Sequence, residues 1–240
     1  MKTVEELRSN WILATEINKI EARLWRQTRR ENLKTILVTS AVRGEGKSTT
    51  VAYLATTMGL YPGRKILAMD FDFRIPTLHK HFGINAKYGI DQVLTREIPA
   101  EKALIETELP SLHIALPRSR KADYNLLLRT QELADMMAYC RERFDLILID
   151  SPAIIPVPDT TMLMPLADAV VLAAMAGRTT AGQLRRAREI CNGMDMKVLG
   201  MVIGNLREAA PDYVADEYDY YGYAEGGKEP SRKTIAKSRK

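Results

Sequence analysis

Short, uninterrupted apolar runs recur along the chain: TILVTS at 35–40, KILAMD at 65–70, LHIAL at 112–116, LILID at 146–150, AVVLAAM at 169–175 and VLGMVI at 198–203. They are continuous rather than alternating, which predicts strands covered on both faces, as in a parallel sheet. Between them the apolar positions fall at helical spacing in KSTTVAYLATTMGL, LLLRTQELADMMAYCRERF and AGQLRRAREICNGM. Strand and helix in alternation predict an α/β protein with a doubly wound, mostly parallel sheet. Ligands of such folds bind beyond the carboxyl ends of the strands. Residues 3–30 carry helical periodicity ahead of the first strand. The expected organisation is a leading N-terminal helix over 1–30, one domain over 31–208 and a polar, flexible tail over 209–240.

Composition narrows the class. At 240 residues and 46% hydrophobic, the chain can bury a full core. No run of eighteen apolar residues exists, because Pro165 and Asp168 interrupt the longest candidate. The N-terminus lacks the apolar core and small-residue cleavage site of a secretion signal, so a cytoplasmic location is expected. The net charge is +5, but residues 224–240 hold six Lys or Arg against two Glu. The rest is nearly neutral, which argues against nucleic acid as a partner. Cys140 and Cys191 have no metal-like spacing and read as small buried side chains.

Three motifs stand at predicted strand ends. AVRGEGKST, residues 41–49, is a phosphate-binding loop between a strand and a helix. Gly44 and Gly46 let backbone amides converge on phosphate oxygens, and the helix N-terminus adds positive potential. Lys47 would reach the β and γ phosphates, and Ser48 would ligate Mg²⁺, with Thr49 close behind; Arg43 and Glu45 complete the loop. LAMDFDFR, residues 67–74, puts Asp70 and Asp72 beyond a buried strand. LILIDSP ends another strand at Asp150, where a Mg²⁺-supporting acid belongs. A P-loop NTPase fold that binds a nucleotide with Mg²⁺ is expected.

With GEGKST, then Asp70, Asp72 and Arg74 in LAMDFDFR, then Asp150 and Pro152 in ILIDSP, the chain resembles the bacterial tyrosine kinases that regulate capsule and exopolysaccharide synthesis. TSAVRGEGKSTT, RIPTLHK and VPDTTML extend the likeness over roughly residues 10–223. The resemblance implies a protein tyrosine kinase in which Asp70 takes the proton of the attacking phenol, Asp72 and Asp150 hold Mg²⁺ or its waters, and Lys47 and Arg74 neutralise charge on the transferred phosphoryl group. A phenol with a pKa near 10 needs such a base. It also implies a homo-oligomer and a separate transmembrane polysaccharide co-polymerase as activator, placing the chain at the inner face of the membrane. Asn205 stands where the family has an adenine-reading Asn, although the extra Gly204 shifts its register.

Five of the ten tyrosines, Tyr213, Tyr218, Tyr220, Tyr221 and Tyr223, alternate with acids near the C-terminus. The resemblance implies that they are the autophosphorylation segment, modified between subunits. The family's ExxRxxR ring motif is degenerate here: Glu16, Lys19 and Ala22, with Arg23 one place late. The apolar Leu7, Trp11, Ala14, Ile20 and Leu24 equally suit packing on the chain's own core. P-loop ATPases that sort plasmids or place division sites carry a signature lysine where this chain has Val42, which argues against that class. His79 and His81 in HKH point apart on a helical turn, and Met136, Met137, Met162 and Met164 read as core filler.

Overall fold

The computed structural model describes residues 1–118 and 126–205, so the tyrosine cluster at 213–223 and the basic tail lie outside the described residues. Seven strands form one sheet: β1 (Thr35–Ser40), β2 (Ile66–Asp70), β3 (Leu104–Glu106), β4 (Leu112–Ala115), β5 (Leu146–Asp150), β6 (Ala169–Met175) and β7 (Val198–Gly204). Their spatial order is β3-β4-β2-β5-β1-β6-β7. All pairings are parallel except that of β3 with β4. The six apolar runs thus become the six parallel strands, and β3 is an addition the pattern did not show.

The helices are α1 (Lys2–Ser9), α2 (Trp11–Glu31), α3 (Lys47–Gly59), α4 (Leu78–Phe82), α5 (Ile90–Leu94), α6 (Ala100–Ala103), α7 (Gln131–Arg143), α8 (Asp159–Leu163) and α9 (Ala181–Gly193). Successive strand residues point to opposite faces, so the sheet feeds two cores. Ile36, Val38, Ile66, Ala68 and Leu148 join Val51, Leu54 and Met58 of α3 and Ile17 and Leu24 of α2 on one face. Leu37, Leu67, Met69, Ile147 and Leu172 meet Met136 and Met137 of α7 and Ala187 and Cys191 of α9 on the other. Burial pushes the Cys140 thiol up to about 12 and that of Cys191 to about 11, so both stay protonated packing groups. No helix among the described residues is long and apolar enough to cross a membrane.

The leading helix expected over 3–30 is two helices. Asn10 breaks it, because its side chain accepts the Leu13 N–H and caps α2, with φ −126° outside the helical region. Both helices pack on the chain's own core. Leu7, Ile20 and Leu24 contribute to the α3 face of the sheet, and the Thr3 and Thr56 hydroxyls meet at 2.9 Å. Buried Glu21 accepts a hydrogen bond from Arg64, whose guanidinium lies 4.1 Å from the Trp25 ring centroid and 4.0 Å from that of Tyr61. Removing one partner of a buried pair leaves an uncompensated charge. Arg64→Ala is therefore expected to cost about 3 kcal/mol in urea denaturation, and a loss below about 1 kcal/mol would show that α2 does not depend on this anchor.

Candidate active site

Because β1, β2, β5, β6 and β7 run parallel, their carboxyl ends share one rim, with β1 between β5 and β6. The loop after β1 turns through Gly44 at φ 81° and Gly46 at φ 82°, left-handed conformations that glycine adopts without strain. A Cβ on Gly46 would meet nothing within 4 Å, so the mouth of the loop is open. Gly46 caps α3, and Lys47 opens that helix, leaving the first amides of a 13-residue helix facing the rim.

The acids gather beside it. Asp70 and Asp150 are register partners at the ends of β2 and β5, and both are fully buried. Asp70 Oδ1 accepts from Asp72 N at 3.0 Å, and its Oδ2 accepts from Thr77 N at 3.0 Å and Leu78 N at 3.1 Å. Burial and the neighbouring Asp150 nonetheless hold its pKa well above the usual carboxylate range. Neither buried oxygen of Asp150 has a well-formed hydrogen bond. Burial pushes its pKa up to about 7, against the pull of the Ser48 hydroxyl and the Lys47 ammonium. Asp72 is raised by burial and feels both Lys47 and Asp159. The Ser48 hydroxyl accepts from Thr77 Oγ1 at 2.6 Å, tying the loop helix to the segment after β2.

Lys47, Ser48, Asp70, Asp72 and Asp150 are therefore neighbours at one rim. Arg74 is placed through a partner the sequence reading did not name: its Nε donates to buried Asp159 at 3.1 Å. Asn205 follows β7 on the same rim at φ 62°. Arg43 is exposed at the loop's turn. Among the described residues no three His, Cys, Asp or Glu side chains converge to hold a metal directly. One unsatisfied carboxylate beside a hydroxyl suits Mg²⁺, which keeps several waters and takes its remaining ligands from phosphates. On that fit Asp150 and Ser48 would hold the ion, with Asp72 nearby.

A strap that sequence reasoning missed closes the loop from behind. Glu45 is buried, and its carboxylate accepts from Val42 N at 2.9 Å and from the Thr179 hydroxyl. Thr179 Oγ1 also accepts from Met175 N at 2.8 Å, anchoring the loop to the end of β6. The Arg178 guanidinium reaches the Gly44 and Arg43 carbonyls, each at 3.3 Å. Glu45 is thus turned into the protein, where it holds the loop's shape. Thr179→Val removes the bridging hydroxyl and is expected to weaken nucleotide binding about tenfold in calorimetric titration, with Thr179→Ser restoring it. Equal affinities in all three proteins would show that the strap does not support the loop.

The ParA family model, described as NUBPL iron-transfer P-loop NTPase, matches residues 32–236. The chain is 28% identical over 224 residues to YwqD of Bacillus subtilis strain 168, named a tyrosine-protein kinase; the match covers 90% of this chain and 92% of that one. It is 28% identical over 190 residues to CpsD of Streptococcus agalactiae, also named a tyrosine-protein kinase, covering 79% of this chain and 82% of the relative. Among solved structures, the VpsO kinase domain superposes with a TM-score of 0.73 over 85% of this chain and 98% of that one, at 24% identity, a likeness of fold.

Proposed function

The chain belongs to the ParA family of P-loop NTPases, and on that premise we propose that it is an ATP- and Mg²⁺-dependent protein tyrosine kinase that phosphorylates its own C-terminal tyrosines between subunits. The observation that carries this reading is the meeting of Lys47, Asp70, Asp72 and Asp150 on one sheet rim, in a chain similar along most of its length to named tyrosine-protein kinases. The iron transfer in the family's description finds little support here, because both cysteines are buried and protonated.

The amides of the 44–48 loop bind the phosphates, and Lys47 follows the charge that develops as the bond to the leaving ADP breaks. A tyrosine phenol attacks the γ-phosphorus in line. Its proton passes to Asp70, whose proton affinity is raised by burial and by Asp150 and whose position is fixed by three backbone amides. Mg²⁺, when bound, supplies neutralising charge for the β and γ phosphates. Arg74, held by Asp159, stands ready for the same charge. Asn205 is assigned to the adenine. In this reading the kinase regulates capsule or exopolysaccharide synthesis at the inner face of the membrane, activated by a separate membrane-embedded co-polymerase.

The test is anti-phosphotyrosine detection after incubation with MgATP. Signal is expected in the parent chain and its loss when Tyr213, Tyr218, Tyr220, Tyr221 and Tyr223 are all changed to Phe. Label confined to other tyrosines would overturn the substrate assignment. The family match keeps one second reading in play, an ATPase without tyrosine transfer. It would release phosphate and leave no phosphotyrosine, with or without a co-polymerase peptide.

A further inference from the structure

We infer that the groove between α2 and β7 is a docking site for the chain's own acidic tyrosine segment, residues 212–223, and that it favours the phosphorylated form. The groove, of about 560 Å³, is lined on the β7 side by half-buried Leu199 and Val202 and exposed Met201, above the buried Leu24 and Val171, and its rim is formed by Arg23, Arg26 and Arg30. The three arginines stand at i, i+3 and i+7, one face of the helix. Arg23 and Arg26 have no hydrogen-bond or ion-pair partner among the described residues, and Arg30 pairs only with Glu31 while 75% exposed. β7 is an edge strand paired only with β6, and its Met201 and Ile203 are each 45% exposed. An exposed apolar strand edge beside a cationic helix face fits an occupant that is both aromatic and anionic.

Segment 212–223 has that chemistry. It holds five tyrosines with Asp212, Asp216, Glu217 and Asp219, and no Lys or Arg. It also begins close by: Asn205 ends the described chain just past β7, and the seven residues from there to Asp212 span up to about 25 Å when extended. That is more than the length of β7, about 20 Å, so the segment can run back along the strand that lines the groove. Tyrosine rings would lie on the apolar strand edge and carboxylates would meet the rim. Each phosphotyrosine would add roughly 1.5 to 2 negative charges and oxygens that match the arginine fork. The preference for the modified form rests on the kinase reading; the groove and its charge do not. The same helix face is the one the family resemblance offers to a neighbouring subunit, so a docked segment would compete with that contact.

The test titrates full-length, ATP-untreated protein into fluorescein-labelled synthetic peptides of residues 209–225, one unmodified and one phosphorylated at Tyr220 and Tyr221, read by anisotropy. The phosphopeptide is expected to bind about tenfold more tightly than the unmodified one, with an affinity that falls as salt rises. R23E/R26E/R30E should remove binding of both, Met201→Asp should weaken both severalfold, and Lys47→Met should leave both unchanged. Because the phosphopeptide is synthetic, its binding to the groove would stand even if the chain made no phosphotyrosine. Binding lost in Lys47→Met but kept in the triple variant would place the segment in the active site and overturn the proposal. So would absence of binding, or a triple variant that alters only the oligomeric state, which would make the groove a contact between copies.

Discussion

Lys47→Met is expected to lower phosphotyrosine formation about a thousandfold while the protein still folds. Lys47 is 8% exposed at the start of α3, and methionine keeps its length and apolar stem, so packing around the stem survives. What disappears is an ammonium felt by both Asp72 and Asp150. Phosphoryl transfer offers the protein little covalent chemistry, so losing one well-placed cation removes stabilisation that Arg74, held by Asp159, and the metal do not make up as charge moves to the leaving group. Near-normal circular dichroism with phosphotyrosine at background would agree. Autophosphorylation within a few-fold of the parent's would show that Lys47 does not face the transferred phosphate.

Much of the fold was readable because burial on both faces writes itself into a strand as an unbroken apolar run. All six such runs became parallel strands within a residue or two. β3 escaped because it is three residues long, antiparallel and half exposed, ending in Glu106, so it carries no apolar run. The break at Asn10 did leave a signal, an Asn ahead of an apolar stretch, but helical periodicity continued through it and masked the cap. For the N-terminal helices, periodicity could not choose between a subunit contact and the chain's own core. Leu24 against α3 and Glu21 against Arg64 settle that these faces pack internally, leaving the arginines outward.

The site divides the same way. Glycines, the lysine and strand-end acids have fixed spacing, so their gathering at one sheet rim was legible. The direction of a side chain was not: Glu45 lies inside the phosphate-loop motif yet faces Thr179. Arg178 and Gly44 are 134 positions apart, and only the adjacency of β1 and β6 brings them together. Asp159 lies in the family-like stretch VPDTTML, but nothing in its local sequence shows that it holds Arg74.

Asp150→Asn is expected to do opposite things to stability and to activity. Both carboxylate oxygens are buried without a well-formed hydrogen bond, so the ionised form is costly there. Burial raises its pKa from an ordinary 3.8 to about 7 in the folded protein, with the Ser48 hydroxyl and Lys47 opposing the rise and Asp72 adding to it. The sign follows from linkage. Below the unfolded pKa the group is protonated in both states and costs nothing; as pH rises towards 7 the unfolded chain releases its proton first, and folding loses stability until the folded group also ionises. Replacing the acid with a neutral amide of the same shape removes that loss. With EDTA present, the variant and the parent should melt together near pH 4, and the variant should melt several degrees higher at pH 8. Phosphotyrosine formation in MgATP should meanwhile fall by about a hundredfold or more at every pH, because the amide cannot serve as the anionic support for Mg²⁺ that the proposed reaction calls for. A variant less stable than the parent at pH 8 would mean that Asp150 is well satisfied in the fold, and its role as the anion kept open for a cation would fall with it.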